Sequence, residues 1–313
     1  MDVTVAVLTY RRNAALEVLL PLLVSQAAAL SGNGTAAEVL VVDNDAGGGA
    51  RTVVAAQPDV RYVVEPSPGI AAARNRALDE SLGSAALAFI DDDELPEPGW
   101  LAALVETQRR TGAAAVAGPV ESVFDGDLHP WIVAGGFFRR VHSRGLRTDD
   151  LVPAAATNNL LLDLRAVRRH GLRFDAGLGF SGGEDTLFTG ALVGVGERIV
   201  WCREAAVVDH VPAARMTRAF VLRRVFAQSN ASVRVRLRLR AGRGQRFVAR
   251  ARFALSGTAR CLLGAGQTVA GTLARVDRWQ ARGCAALARG LGTMAGVLGI
   301  EYQEYRREHP GGH

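Results

Sequence analysis

The sequence predicts an α/β fold: a mostly parallel sheet flanked by helices, followed by an arginine-rich helical C-terminal extension. Three observations predict it. Short apolar runs rich in β-branched residues alternate with helical patterns through the first third of the chain, as in parallel strands joined by crossover helices. Polar residues collect where those runs end, which is where open α/β sheets place their ligands. From about Thr217 the pattern changes to arginine-rich helices with apolar stripes.

The elements follow in order. Residues 3–9 (VTVAVLT) form a continuous apolar, β-branched run suited to a central strand. Residues 15–30 are helical in pattern, 38–43 (EVLVVD) form a second buried strand ending in Asp43, and 60–65 a third. Residues 69–82 predict a helix and 87–90 a fourth strand. The first strand ends in Thr9-Tyr10-Arg11-Arg12 rather than a Gly-x-Gly-x-x-Gly turn, which counts against a dinucleotide site of the NAD type.

The middle third is less regular. Residues 116–124 look like one strand, 125–150 like a long loop of the kind that serves as a lid, and 158–170 like a strand entering a helix. A helix over 184–195 follows the glycine-rich Gly177–Gly183 segment, and short strands are expected at 198–202 and 205–208. Residues 233–240 (VRVRLRLR) alternate as a strand does, although their neighbours look helical. In a helix Arg234 would face Arg238, and Arg236 would face Arg240. Both assignments stay open. Segments 246–263, 265–282 and 284–300 are expected as amphipathic helices, lying on a membrane surface, on the core or on a second subunit.

Composition narrows the function classes. With 313 residues the chain can bury a sizeable core. Its three cysteines have no metal or redox spacing, so neither a disulfide framework nor a zinc site is implied. The N-terminus shows no basic region followed by an apolar signal core, and no stretch reaches roughly 18 uncharged apolar residues. The expected location is cytoplasmic, peripheral at the inner face of the cell membrane. Charge is divided unevenly: residues 1–214 hold 18 Arg and 27 acids, whereas 215–313 hold 19 Arg and 4 acids. The expected division is therefore a catalytic domain over 1–214 and a basic helical region over 215–313, the latter facing an anionic partner.

Ile90-Asp91-Asp92-Asp93-Glu94 is the densest chemical signal, three consecutive carboxylates after the apolar run 85–90. Adjacent carboxylates repel and are costly to desolvate, so a hard divalent cation such as Mg2+ or Mn2+ is their natural neutraliser. The competing reading is an acidic loop that favours the start of the next helix.

In this setting Leu8-Thr-Tyr-Arg-Arg12, Val42-Asp43-Asn44, Gly69-Ile-Ala-Ala-Ala-Arg-Asn75, Ile90–Asp93, Gly183-Glu-Asp185 and Asp209-His210 resemble, in order and spacing, the family 2 glycosyltransferases of the GT-A fold. The resemblance spans about residues 3–230 and is nearest to bacterial members that build succinoglycan-type exopolysaccharides or decorate secondary metabolites. It implies a Rossmann-like nucleotide-binding sheet and a metal-dependent, inverting transfer from a UDP- or dTDP-sugar to a hydroxyl acceptor. By resemblance, Asp91 lies near the ribose or metal with Asp92 beside it, Asp93 is a direct Mn2+ or Mg2+ ligand, and His210 completes the metal site. Asp185 matches the general base, with Glu184 orienting the site. Thr9, Tyr10, Arg11 and Asp43 would hold the base, and Arg74 the base or phosphates. Arg218, Arg223 and Arg224 stand where relatives contact the diphosphate, but no tryptophan follows the arginines here, which argues against a processive synthase. Asn158, Asn159 and Trp131 are candidates for the sugar or acceptor.

The rivals fare worse. A nucleotidyltransferase would need a glycine-rich turn and a catalytic lysine, and the chain has no lysine. Nucleic-acid binding lacks a motif and an accommodating body, since the N-terminal part is acidic. A non-catalytic nucleotide-sugar or membrane-surface module is the alternative. It predicts eroded site residues, yet Asp93, Asp185 and His210 are present.

Overall fold

The apolar runs of the N-terminal part become neighbouring strands of one sheet in a computed structural model of the chain, described over residues 2–32, 35–139, 145–240 and 242–303. In order these are β1 (Val3–Thr9), α1 (Asn13–Ser31), β2 (Ala37–Asp43), α2 (Arg51–Ala55), β3 (Val60–Val64), α3 (Ile70–Glu80), β4 (Ala86–Asp91), β5 (Glu94–Pro96) and α4 (Trp100–Thr111). There follow β6 (Ala115–Ala117), β7 (Val120–Phe124), α5 (Pro130–Gly135), β8 (Asn159–Asp163), α6 (Leu164–Arg169), α7 (Glu184–Gly194), β9 (Ile199–Trp201) and β10 (Val207–Val211). The chain ends in α8 (Arg218–Arg238), α9 (Arg243–Leu273) and α10 (Asp277–Val297).

The main sheet runs β3-β2-β1-β4-β8-β6-β9, and β1 pairs in parallel with both β2 and β4. Only β8 runs against its neighbours β4 and β6. A smaller sheet has the order β5-β10-β7. Val3, Val5, Val7, Val39, Val41, Ile90 and Leu161 meet α1 and α4 in one core layer, and Leu40, Val42, Phe89, Leu160 and Leu162 meet α3, α6 and α7 in another. Burial on both faces explains why these strands read as unbroken apolar runs. Among the described residues α1 alone is long and apolar enough to cross a membrane by length and composition, but Leu16, Leu19, Leu20 and Leu23 are fully buried in the core.

The structure departs from the sequence expectations at several points. The strand expected over 116–124 is broken into β6 and β7, which lie in different sheets. The break falls at Gly118-Pro119, where a Cβ on Gly118 would lie 2.0 Å from the Ala205 carbonyl oxygen, so only glycine fits. The long loop expected over 125–150 contains α5, while residues 140–144 lie outside the described residues. The strand-like 233–240 alternation is mostly helical, because α8 runs to Arg238 and Arg234 finds a partner in Glu301 at 2.8 Å. Three expected terminal helices are two, since α9 passes unbroken through Gly264.

The chain forms two compact units: Met1–Val123, His142–Gly179 and Glu184–His210 in the first, and Phe124–Val141, Phe180–Gly183 and Val211–His313 in the second. In the second, Trp131 on α5 stacks on Phe137 with centroids 5.1 Å apart, and its Nε1–H donates to Gln280 Oε1 at 2.9 Å. Trp131 is only 2% exposed, which makes it a core residue rather than the sugar platform the sequence suggested.

Asn159 is likewise structural. Its Oδ1 accepts from Trp100 Nε1–H at 2.8 Å, and its Nδ2 donates to the carbonyls of Pro119 (2.9 Å) and Ala205 (2.8 Å). Asn159→Leu strands a buried indole N–H and two carbonyls, so it should cost about 2–4 kcal/mol of stability. The check is a urea midpoint lowered at unchanged slope.

Candidate active site

The C-terminal ends of β1, β2 and β4 and the start of α7 each carry polar side chains. Thr9 ends β1 and its hydroxyl donates to Asp92 Oδ2 at 2.8 Å. Arg12 then bridges Asp92 (2.8 Å) and Asp93 (2.9 Å). Asp92 is 6% exposed, and burial raises its carboxyl above the ordinary range, against the opposing pull of Arg12. Asp92 is thus the anchor of the acidic run, and Arg12, absent from the sequence-based candidates, is its counter-ion. The missed signal was an Arg-Arg pair after the first strand, of which the sequence marks no particular member.

Asp91 ends β4. Burial pushes its carboxyl up to about 7, opposed by Arg74 and reinforced by Asp93 and Asp92. Arg74, on α3, is 5% exposed and forms a buried ion pair with Glu184, the first residue of α7. The guanidinium also lies over the Phe174 ring, 5.6 Å from its centroid, and feels the charges of Asp185 and Asp91. Arg74 was expected to reach the base or phosphates. It is instead committed to neutralising carboxylates from two elements. Glu184 is 4% exposed and burial raises its carboxyl, so its tie to Arg74 orients the start of α7 and sets Asp185 on the first turn. Asp185 is half-buried, and its Oδ1 accepts from the Thr186 backbone N–H.

Asp43, at the end of β2, is fully buried. Oδ1 accepts from Asp45 N–H (3.0 Å), and Oδ2 from Ala50 N–H (2.9 Å) and the Tyr62 hydroxyl (2.7 Å). Burial and the bond to Asp43 push the Tyr62 hydroxyl up to about 12. The carboxylate expected to recognise a pyrimidine thus already holds its own loop. Asn44 ties that loop to the next: Nδ2 donates to the carbonyls of Glu65 and Ser67, and Oδ1 accepts from Gly69 N–H at 3.0 Å. Gly69, at φ 113°, starts α3 in a conformation that favours glycine. Arg11, at φ 56°, pairs with Asp45 at 2.9 Å beside the Tyr10 ring.

His210 is exposed on β10. In the antiparallel β5–β10 ladder, Val208 opposes Leu95 and Asp209 opposes Glu94, so His210 lies one residue past the paired stretch, at the end of β5 that the acidic turn enters. Among the described residues, however, no three His, Cys, Asp or Glu side chains are gathered as a metal cluster, so Asp91, Asp93 and His210 do not form the expected three-ligand set. One carboxylate and one imidazole still suit Mg2+ or Mn2+, ions that commonly take their remaining ligands from substrate phosphates and water. Asn158 donates to Glu94 Oε1 at 2.5 Å.

Arg218, Arg223 and Arg224 belong to the second unit, where Arg218 lies over Trp131, 4.9 Å from the ring centroid. Arg223 is exposed and Arg224 half-buried on α8.

A mostly parallel sheet with acidic side chains at its strand ends places the ligand site of an α/β protein at those ends. Residues 4–159 match the family described as glycosyl transferase family 2. The succinoglycan biosynthesis protein ExoM of Rhizobium meliloti (strain 1021) is 38% identical over 234 residues, 72% of each chain. The chain belongs to glycosyltransferase family 2, enzymes that transfer a sugar from a nucleotide-sugar donor.

Solved structures share the fold. The mannosyltransferase PcManGT from Pyrobaculum calidifontis, in complex with GDP-Man and Mn2+, is similar over 96% of this chain and 88% of its own, at TM-score 0.61 and 20% identity. S. aureus TarS 1-349 in complex with UDP-GlcNAc is similar over 98% and 93%, at TM-score 0.55 and 14% identity. A longer TarS structure, at TM-score 0.52 and 17% identity, is matched over 73% of this chain and 40% of its own. The architecture is the mixed α/β GT-A type with a C-terminal helical extension.

The Arg74–Glu184 pair yields a stability prediction. Arg74→Met leaves a buried, uncompensated carboxyl, an effect of about 3–5 kcal/mol, whereas Arg74→Met with Glu184→Leu should recover most of it. Urea unfolding of both variants checks the difference.

Proposed function

We propose that the chain is a metal-dependent, inverting glycosyltransferase that moves a sugar from a nucleoside diphosphate to an acceptor hydroxyl. The observation that carries the reading is the buried Arg74, which draws the end of β4, with Asp91, and the start of α7, with Glu184 and Asp185, into one electrostatic cluster. Metal binding and chemistry would thereby be coupled through a single rigid contact.

In this reading Asp93 and His210 would hold Mn2+ or Mg2+, with Asp91 adjacent. When bound, the ion supplies Lewis-acid stabilisation of the negative charge gathering on the departing diphosphate. The chain's own residues do the rest. Arg12 fixes the Asp92–Asp93 turn, so the ligand carboxylate has little freedom to lose on binding. Asp185, half-buried on the first turn of α7, accepts the acceptor's proton as its oxygen attacks the anomeric carbon. Direct displacement by the acceptor inverts that carbon. Thr9, Tyr10 and Arg11 line the approach to the nucleotide, and the Asp43 loop shapes its floor.

A UDP or dTDP donor is the favoured class, given the TarS complex with UDP-GlcNAc, while the PcManGT complex with GDP-Man keeps GDP in the test. The likeness to a succinoglycan biosynthesis protein supports a glycan or lipid-linked sugar as acceptor in exopolysaccharide assembly.

Calorimetry with UDP, dTDP and GDP, with Mn2+ or with chelator, tests the donor reading. The expected result is metal-dependent binding of one nucleotide, lost in Asp93→Ala and weakened at least tenfold in His210→Ala. Asp185→Asn should bind that nucleotide normally yet lose transfer by about 10²–10⁴-fold. A folded protein that binds none of the three would overturn the donor assignment and favour a non-catalytic module.

A further inference from the structure

The second unit ends in a helical hairpin whose packing is reversed from that of an ordinary soluble pair. α9 meets α10 through glycines: Gly257, Gly264 and Gly271 are buried at seven-residue intervals. A Cβ on Gly264 would lie 2.6 Å from Leu287 N, and one on Gly271 2.3 Å from Gln280 N, so the two backbones are in direct contact. Small residues at a helix interface let the two backbones approach closely and leave the large apolar side chains on the outer face.

Those side chains are on the other face. Val248, Leu255 and Leu262 each precede one of the seam glycines by nine residues, which at about 100° per residue is half a turn away. With Val269 they repeat every seven residues, forming one line along the helix. They are 50%, 74%, 70% and 58% exposed, and Leu273 extends the line at 81%. A solvent-facing row of this length is a contact surface rather than scattered surface leucines. The charge of the hairpin is one-sided, with nine Arg and one acid over residues 243–289. Arg243, Arg250, Arg252 and Arg260 are exposed on α9 itself.

We infer that this face of α9 lies on an anionic lipid bilayer, with the Val248–Leu273 row in the acyl boundary and the arginines at the headgroups. Amphipathic helices with apolar and basic faces bind in this way. A second copy of the chain is disfavoured as occupant, because it would bring the same dense positive charge to the contact. Seating the hairpin on the membrane places an enzyme that uses soluble sugar donors where lipid-linked acceptors are held.

The test is co-sedimentation of the full chain with vesicles of phosphatidylcholine alone or with about a third phosphatidylglycerol, without sugar donor or metal, so that the outcome is independent of the nucleotide site. The expected result is binding to the anionic vesicles, at least tenfold weaker on phosphatidylcholine. The doubly substituted Leu255→Glu, Leu262→Glu should lose at least tenfold in binding, with an unchanged circular dichroism spectrum, while Leu255→Met, Leu262→Met binds like wild type. No wild-type binding to anionic vesicles, or equal binding by the glutamate variant, overturns the inference. A wild-type dimer that the glutamate variant dissolves, with no vesicle binding, assigns the face to a second copy and overturns it equally.

Discussion

The burial of negative charge at the carboxyl ends of the central strands is the constraint on which the catalytic unit depends. Asp91, Asp92, Asp93, Glu184 and Asp185 are drawn together from β4, its following turn and α7, against two guanidinium groups, Arg12 and Arg74. Like charges at this density are tolerated only where counter-charge is built in or a proton is retained. Both occur here. Arg12 and Arg74 are fixed by geometry, and burial pushes the Asp91 carboxyl up to about 7, towards its protonated form. The pairing also explains the fold's local choices: α3 must present Arg74 inward, and Gly69 at φ 113° sets the angle at which that helix starts.

The second unit solves a different problem by different means. Its helices carry arginines that would repel one another, and among the described residues Arg234 pairs with Glu301 at 2.8 Å. Cohesion comes instead from small apolar clusters around Trp131 and Val233 and from backbone contact along glycine seams. Gly292 lies so close to α8 that a Cβ would stand 2.3 Å from the Phe226 carbonyl oxygen, and Gly296 meets Asn230 in the same way. Close packing of this kind gains dispersion without burying large side chains. It leaves the arginines and the bulky apolar residues on outer faces.

Much of this was legible in the chain, and the illegible parts share a cause. Strands β1, β2 and β4 were readable because burial on both faces writes continuous apolar runs, and the acidic run was readable because three adjacent carboxylates need an explanation. Partnership was not. Whether Arg74 meets a phosphate or Glu184, 110 residues later, depends on how α3 and α7 converge, which no local pattern encodes. Asn159 and Trp131 looked like ligand-binding types because the same hydrogen-bonding and aromatic chemistry serves a core equally well. Gly264 read as a break between two helices, since a seam becomes visible only when the partner helix is in place.

The charge count bears directly on the proposed chemistry. Even with one proton retained, five carboxyl groups facing two guanidiniums would repel a diphosphate, which in the proposed reaction the donor brings to these strand ends. Further arginines would attract the diphosphate, but would neutralise the carboxylates permanently and leave no acceptor for a proton. In the proposed reaction a divalent cation arriving with the donor would meet both demands, balancing Asp91 and Asp93 only while the diphosphate is present and leaving Asp185 available as the proton acceptor. In this account Arg74 is a positioning residue, because its charge is spent on Glu184 and its effect on the reaction is to set the distance between metal-binding and proton-accepting carboxylates. The half-neutralised cluster is therefore suited to a substrate that carries its own counter-ion.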